Sequence, residues 1–282
     1  KKYGVGIASL VLLFLIGFVY LYPLIRMLSM SFMDSRDIVD PNVGMIPTKL
    51  SFTNYIQSYQ VLNLPKSLWN SFWLSTILAL FQTASSAMAG YAFARFSFKG
   101  KNLLLILVIV TYIVPMQVLT IPRFMVFSFY NLVGSVLPLL TVALFGQGLN
   151  SPIFILIFYN FFRMQPPSID EAARIDGASY AQVFWRVTMA LSIPVLTVAF
   201  MFSFVWNWNE TYVTVLVAAG RFRTLPLELE GFVASYNRLF VRPGSTHSLI
   251  NEAIRMAGTM IAISPLLIIY LFLQRQFVEG IE

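Results

Sequence analysis

Three acids and one arginine sit together in residues 168–182, SIDEAARIDGASYAQ, a polar stretch inside an otherwise apolar chain. Ser168 stands three residues before Glu171, and Ser179 three before Gln182. That spacing is the capping box: the hydroxyl accepts from the third backbone amide, and the acid or amide side chain reaches back to the cap. Asp170 adds negative charge in the first turn, where the helix dipole favours it. A short helix is therefore expected up to about Asp176, with Gly177 reversing the chain. A second helix is expected to run through VFWRV into the next apolar segment. Ile169, Ala172, Ala173 and Asp176 would share one face of the first helix. That face is shallow at its two alanines, and it suits either docking against another protein or a merely structured connection.

A second patch, FVWNWNE at 204–210, places Trp206, Asn207, Asn209 and Glu210 within an apolar run. Sugar rings stack on indole, and their hydroxyls need amide and carboxylate partners. An acid at membrane depth usually faces a bundle interior or a watery cavity, so these four residues are candidates for a translocation path. The competing reading is an interfacial aromatic belt with a solvated acid.

Other chemistry finds no support. The chain has no cysteine, hence no disulfide framework and no thiolate metal site. Its one histidine, His247, forms no triad or metal cluster alone. Gly100–Lys101 is followed by Asn102 and lacks the upstream glycine of a phosphate-binding loop. The net charge is +7, yet no basic stripe with interleaved aromatics points to nucleic acid. The chain is expected to be no enzyme and to hold no cofactor or metal itself.

The elements that carry these patches are membrane spans. The 282 residues are 58% hydrophobic and 11% charged, against about 25% charged in a soluble domain. A span needs about 20 mostly apolar residues, and the hydropathy pattern offers six: about Val5–Phe32, Leu68–Phe93, Leu103–Ile121, Val136–Phe162, Val187–Val217 and Ile254–Leu273. The run Gly4–Leu24 is too long for a signal peptide and further spans follow it. Lysines and arginines are nearly balanced between the two sides, although their density in short segments favours cytoplasmic termini. In the second span, Ser85 with Ala89 and Ser86 with Gly90 form a small-residue face. Such a face lets backbones approach closely, within the chain or against a second subunit.

Glu171-Ala172-Ala173, three residues, Gly177, nine residues and Val187-x-Met189 together resemble the EAA loop of binding-protein-dependent ABC importer permeases. That family's pattern is E-A-A-x3-G-x9-I-x-L-P, and here Val187, Met189 and Ala190 depart from it. YPLIRMLSMSF, NSFWLS, AGYAFARFSFKGK, WNWNE and LQRQFVEG extend the likeness over nearly the whole chain and place it in the carbohydrate branch. The resemblance implies an all-α membrane protein with six transmembrane helices, the type I ABC importer permease fold and both termini cytoplasmic. It implies a single permease domain over residues 1–282, with a cytoplasmic coupling loop at about 163–186 and external loops at about 34–66 and 220–250. Glu171, Ala172, Ala173, Asp176, Gly177 and Ala178 would then meet an ATPase subunit, with Ser168, Ser179 and Gln182 capping the loop. The implied partners are a homologous permease, two ATPase subunits that bind ATP and Mg, an extracytoplasmic solute-binding protein, the lipid bilayer and a saccharide. The implied location is a bacterial or archaeal cytoplasmic membrane. A permease of the same superfamily for a non-sugar solute is the near alternative. A self-contained secondary transporter would need a coupling-ion site and often inverted repeats, and the sequence shows neither.

Overall fold

The computed structural model describes residues 2–241 and 252–279, and among these every regular element is helical. His247 and the end of the expected external loop, 242–250, lie outside the described residues. Two compact units form, one from residues 1–67 with 227–268 and the other from 68–226 with 269–282.

The chain opens with α1 (Lys2–Ser31), in whose apolar stretch no residue from 9 to 30 is buried and Ser31 alone is. Leucines and aromatics exposed on every side are what a helix shows when lipid rather than water surrounds it. The polar segment after it is folded, with α2 (Ser35–Val39) and α3 (Thr53–Val61). Buried Asp37 accepts from the Thr48 amide at 2.9 Å and its hydroxyl at 2.6 Å. Asn54 donates to the carbonyls of Ser31 and Met33, at 3.0 and 2.8 Å, which ties α3 to the end of α1.

α4 (Leu64–Arg95) has 32 residues, about 48 Å at 1.5 Å per residue. Beyond it come α5 (Lys101–Ile113) and α6 (Met116–Phe129), bent from one another by 100°. The third span was expected to run unbroken to Pro122. Instead the break falls at Val114–Pro115 and Pro122 lies inside α6. Proline has no amide hydrogen and pushes the preceding residue out of the helical region; Val114 accordingly takes φ −66, ψ 121. The expected fourth span is likewise split, into α7 (Leu137–Leu144) and α8 (Ser151–Met164). Between them Gly146 and Asn150 adopt φ +68 and +57, the left-handed region that glycine and asparagine tolerate best.

The small-residue face of α4 is used within the chain. A Cβ on Gly90 would stand 2.6 Å from Phe158 Cβ and 2.8 Å from the Tyr159 amide nitrogen of α8. Ser85 donates to the Ala143 carbonyl at 2.9 Å, and Ser86 is fully buried.

There follow α9 (Pro167–Ile175), α10 (Tyr180–Gln182), a π-helical stretch Val183–Thr188, and α11 (Met189–Leu191). The expected smooth run into the fifth span does not form: at Ser192 the chain turns by 79° into α12 (Ile193–Asn209), with Pro194 in its first turn. α13 (Tyr212–Ala218), α14 (Leu225–Glu230) and α15 (Phe232–Phe240) come next, and α16 (Glu252–Glu279) completes the described chain. Ser58 of α3 donates to the Ile254 carbonyl of α16 at 3.0 Å. A Cβ on Gly258 would fall 2.5 Å from the Phe232 ring, so α15 and α16 pack at glycine distance.

Among the described residues three helices are long and apolar enough to cross a membrane unbroken: Ser9–Ser31 of α1, Leu64–Arg95 and Glu252–Phe272 of α16. Counting each bent pair, α5 with α6 and Tyr180–Leu191 with α12, as one span raises the number to five. By length and composition the described helices thus account for three to five of the six expected spans, because prolines and left-handed turns interrupt the other apolar runs.

Candidate functional site

The polar loop is built around a proline. α8 ends at Met164, and Gln165 and Pro166 are extended. Pro167 occupies the first helical position of α9, where its preset φ fits and its missing donor is not needed. Helix initiation thereby moves ahead of Ser168. Ser168 lies in the first turn and caps nothing, and Glu171 closes no box with it, contrary to the spacing argument. What holds this end is Arg95 at the close of α4. Its Nε lies 2.9 Å from Asp170 Oδ2 in an ion pair whose side chains are 11% and 17% exposed. Its Nη1 donates to the Gln165 carbonyl at 3.2 Å. One guanidinium thus grips the chain on both sides of Pro166.

The far end of α9 is closed by its backbone. Gly177 has φ +86; its amide bonds the Arg174 carbonyl at 3.0 Å, and the Ala178 amide bonds that of Ala173 at 3.0 Å. This is the paired pattern of a Schellman turn, which a left-handed glycine permits. The second capping box does form: the Ser179 amide donates to Gln182 Oε1 at 2.7 Å and the Gln182 amide to Ser179 Oγ at 3.3 Å. Tyr180 receives the Arg174 guanidinium 4.3 Å above its ring and meets Phe96 at 5.8 Å. Below lies an aromatic cluster of Tyr91, Phe158, Phe162 and Phe184.

The outward face of α9 differs from the one expected. Ile169, Asp170 and Ala173 are half-buried against the body, whereas Ser168, Glu171, Ala172 and Ile175 point outward at helical spacing. Ala172 and Ala173 therefore do not present one common surface. Ile175 is 86% exposed and Met164 78%, two large apolar side chains standing bare beside the loop. Asp176 and Gly177 are also exposed, and Ala178 is half-buried.

The second patch divides. Asn207 donates to Gln82 Oε1 at 3.2 Å and to the Ser203 carbonyl at 2.8 Å, while Ser203 donates to the same Gln82 oxygen at 2.9 Å. Gln82, fully buried, also donates to the Leu149 carbonyl, so it joins α4, α12 and the turn before α8. Glu210 ends α12 and starts α13: it accepts from the amides of Val213 and Thr214, at 2.8 and 3.0 Å, and from the Thr214 hydroxyl at 2.8 Å. Asn207 and Glu210 line one cavity, with Leu78, Arg123, Gln147 and Thr214 on the same wall. Trp206 and Asn209 are not on that wall. Trp206 packs on Phe154 and Phe202, with ring centroids at 5.2 and 5.8 Å, and Asn209 bonds the Val205 carbonyl of its own helix.

Four residues of these sites escaped the sequence reading. Gln82 stands alone in an apolar run, and that isolation was a usable signal. Arg95 and Arg123 pass as ordinary loop charges, and Gln147 as one residue of a turn.

An all-helical membrane chain with a short polar helix on a loop and a polar cavity among broken spans is the architecture of a transport permease. The chain belongs to the family of binding-protein-dependent transport system inner membrane components, which matches it over residues 82–282. It is 26% identical to the arabinooligosaccharides transport system permease protein AraQ of Halalkalibacterium halodurans, over 94% of this chain and 91% of that one. It is 27% identical to the diacetylchitobiose uptake system permease protein DasC of Streptomyces coelicolor, over 92% and 89%. Among solved structures, a bacterial ABC transporter involved in the import of the acidic polysaccharide alginate superposes with a TM-score of 0.75, at 23% identity over 97% of this chain and 96% of that one. That likeness shows the fold, the helical permease fold of ABC importers. The protein is a multi-pass membrane permease and its family is not one of enzymes.

Proposed function

We propose that this chain is one of two membrane subunits of an ATP-driven importer of oligosaccharides in a bacterial or archaeal cytoplasmic membrane. Relatives that carry arabinooligosaccharides and diacetylchitobiose support the substrate class. The observation that carries the coupling role is α9 itself: closed at one end by a Schellman turn, gripped at the other by Arg95, and bare on its outer face. A connector between spans needs none of that. A helix that receives force does, because movement imposed on a loose segment would dissipate within it.

In this reading an ATPase subunit, which binds ATP and Mg, takes the face formed by Ser168, Glu171, Ala172 and Ile175 in a groove. Displacement of α9 passes to α4 through the Asp170–Arg95 pair, and to α12 through residues 179–192. A homologous permease supplies the other half of the translocation path, and a solute-binding protein delivers the saccharide outside. Asn207 and Glu210 belong to the wall of this half. Only a contact that differs between two states moves an equilibrium, so the ATPase must hold α9 differently before and after hydrolysis.

Co-purification tests the coupling role. Ile175→Asp buries a charge in the proposed groove and is expected to reduce recovery of the ATPase at least about tenfold, on the scale of a buried unpaired charge, while the companion permease is retained. Undiminished ATPase recovery would remove α9 from the interface.

A further inference from the structure

Two helix breaks border one cavity. The break at Val114–Pro115 and the turn 145–150 both contribute to the walls of a space of about 140 Å³, where Thr111, Tyr112, Arg123, Gln147 and Asn150 carry the polar side chains of the lining. Arg123 and Gln147 also face the neighbouring cavity in which Asn207 and Glu210 stand. Interrupted backbone inside an apolar segment carries unpaired amides and carbonyls, so it persists where it lines a cavity rather than lipid. Transporters build solute sites from such discontinuous helices.

Among the described residues the side chains of Arg123, Gln147 and Asn150 make no hydrogen bond or ion pair. Arg123 is half-buried, while its neighbours on α6, Ile121 and Met125, face outward. The acid on its wall is Glu210, whose two oxygens are engaged by α13 and which forms no ion pair with Arg123. A half-buried guanidinium that lines a cavity in an apolar bundle calls for a counter-charge. A neutral ring entering the cavity would displace its hydration and return no charge. A carboxylate would instead meet the planar donor fork with two parallel hydrogen bonds, leaving the Gln147 and Asn150 amides for ring hydroxyls.

We propose that this cavity is a subsite for a saccharide unit bearing a carboxylate, and that Arg123 selects for it. The proposal rests on the importer reading above and narrows its substrate class to acidic oligosaccharides.

The test uses the complete importer with its binding protein in proteoliposomes. Uptake is measured for a panel of neutral and uronic-acid-containing oligosaccharides, each acid paired with its carboxyl-reduced form. At least one uronate is expected to be transported. Arg123→Gln should lower its uptake about tenfold or more, as befits a lost charge-assisted contact, with Arg123→Lys intermediate and any transported neutral sugar changed less than about twofold. Transport of neutral sugars alone overturns the subsite. So does a loss in Arg123→Gln that is equal for acids and neutrals or accompanied by dissociation of the subunits, which would assign the guanidinium to an acid of the companion permease. Failure to transport any saccharide, with the ATPase bound, would instead overturn the importer reading itself.

Discussion

Arg95 carries more of the proposed coupling than any residue of the EAA motif, because its ion pair with Asp170 joins α9 to the long helix α4. Removing one partner of this mostly buried ion pair leaves the other charge uncompensated, which frees the start of α9 without unfolding α4. Arg95→Gln and Asp170→Asn are each expected to lower solute moved per ATP hydrolysed about three- to tenfold in an assembled importer. The exchanged pair, Arg95→Asp with Asp170→Arg, should restore part of that ratio. Restoration stays partial because an arginine in the first turn opposes the helix dipole. A ratio unchanged in both single variants would show that the pair transmits nothing. At this scale the sequence was legible where the interaction is local: Ser179 and Gln182 stand three residues apart and form their box. Ser168 and Glu171 have the same spacing and do not, since Pro167 claims the helix start. Arg95 was hidden because its partner lies on another element, and Glu210 drew notice as a membrane acid although its visible work is to cap α13.

The helices themselves show which sequence signals prevailed over hydropathy. Apolar runs marked where spans lie, but Pro115, the Gly146-x-Gly148-x-Asn150 turn and Ser192 with Pro194 decide where they break. Averaging over about 20 residues smooths out single prolines and glycines, so bent pairs looked like continuous spans. The π-helical stretch 183–188, which buries Val183, Phe184 and Thr188, had no signal in residue types at all, being a product of packing over Tyr91 and Phe162. Gly90 shows the reverse, a motif legible as close approach whose partner, α8, only the structure supplies. Because any Cβ there would overlap Phe158 and the Tyr159 backbone, Gly90→Val must force α4 and α8 apart. Overpacking of this kind costs about 1–3 kcal/mol, and a melting point lowered by several degrees in detergent is expected, with Gly44→Val as a control in open space at an ordinary backbone angle. An unchanged melting point would mean that this contact does not hold the two helices together.

For the whole molecule, orientation in the membrane is the property the charges left open, since lysines and arginines are nearly balanced across the chain. The composition itself provides the means to settle it: with no cysteine in this sequence, a single introduced thiol is the one this chain offers to a reagent. Ile175 and Val39 are 86% and 79% exposed, and they stand on loops that the proposed topology assigns to opposite sides. Val39→Cys should react with a membrane-impermeant maleimide on intact cells, whereas Ile175→Cys should react only once the inner face is opened. Reaction of Ile175→Cys on intact cells would place α9 outside, beyond any ATP-binding partner, and the coupling role would fall with it. The same thiol reports on assembly. If an ATPase groove covers the outer face of α9, Ile175→Cys should label at least about tenfold more slowly in the full importer than in this chain alone, while Val39→Cys labels equally in both. Equal rates at position 175 would leave the bare face of α9 without its proposed occupant, however well the membrane orientation agreed.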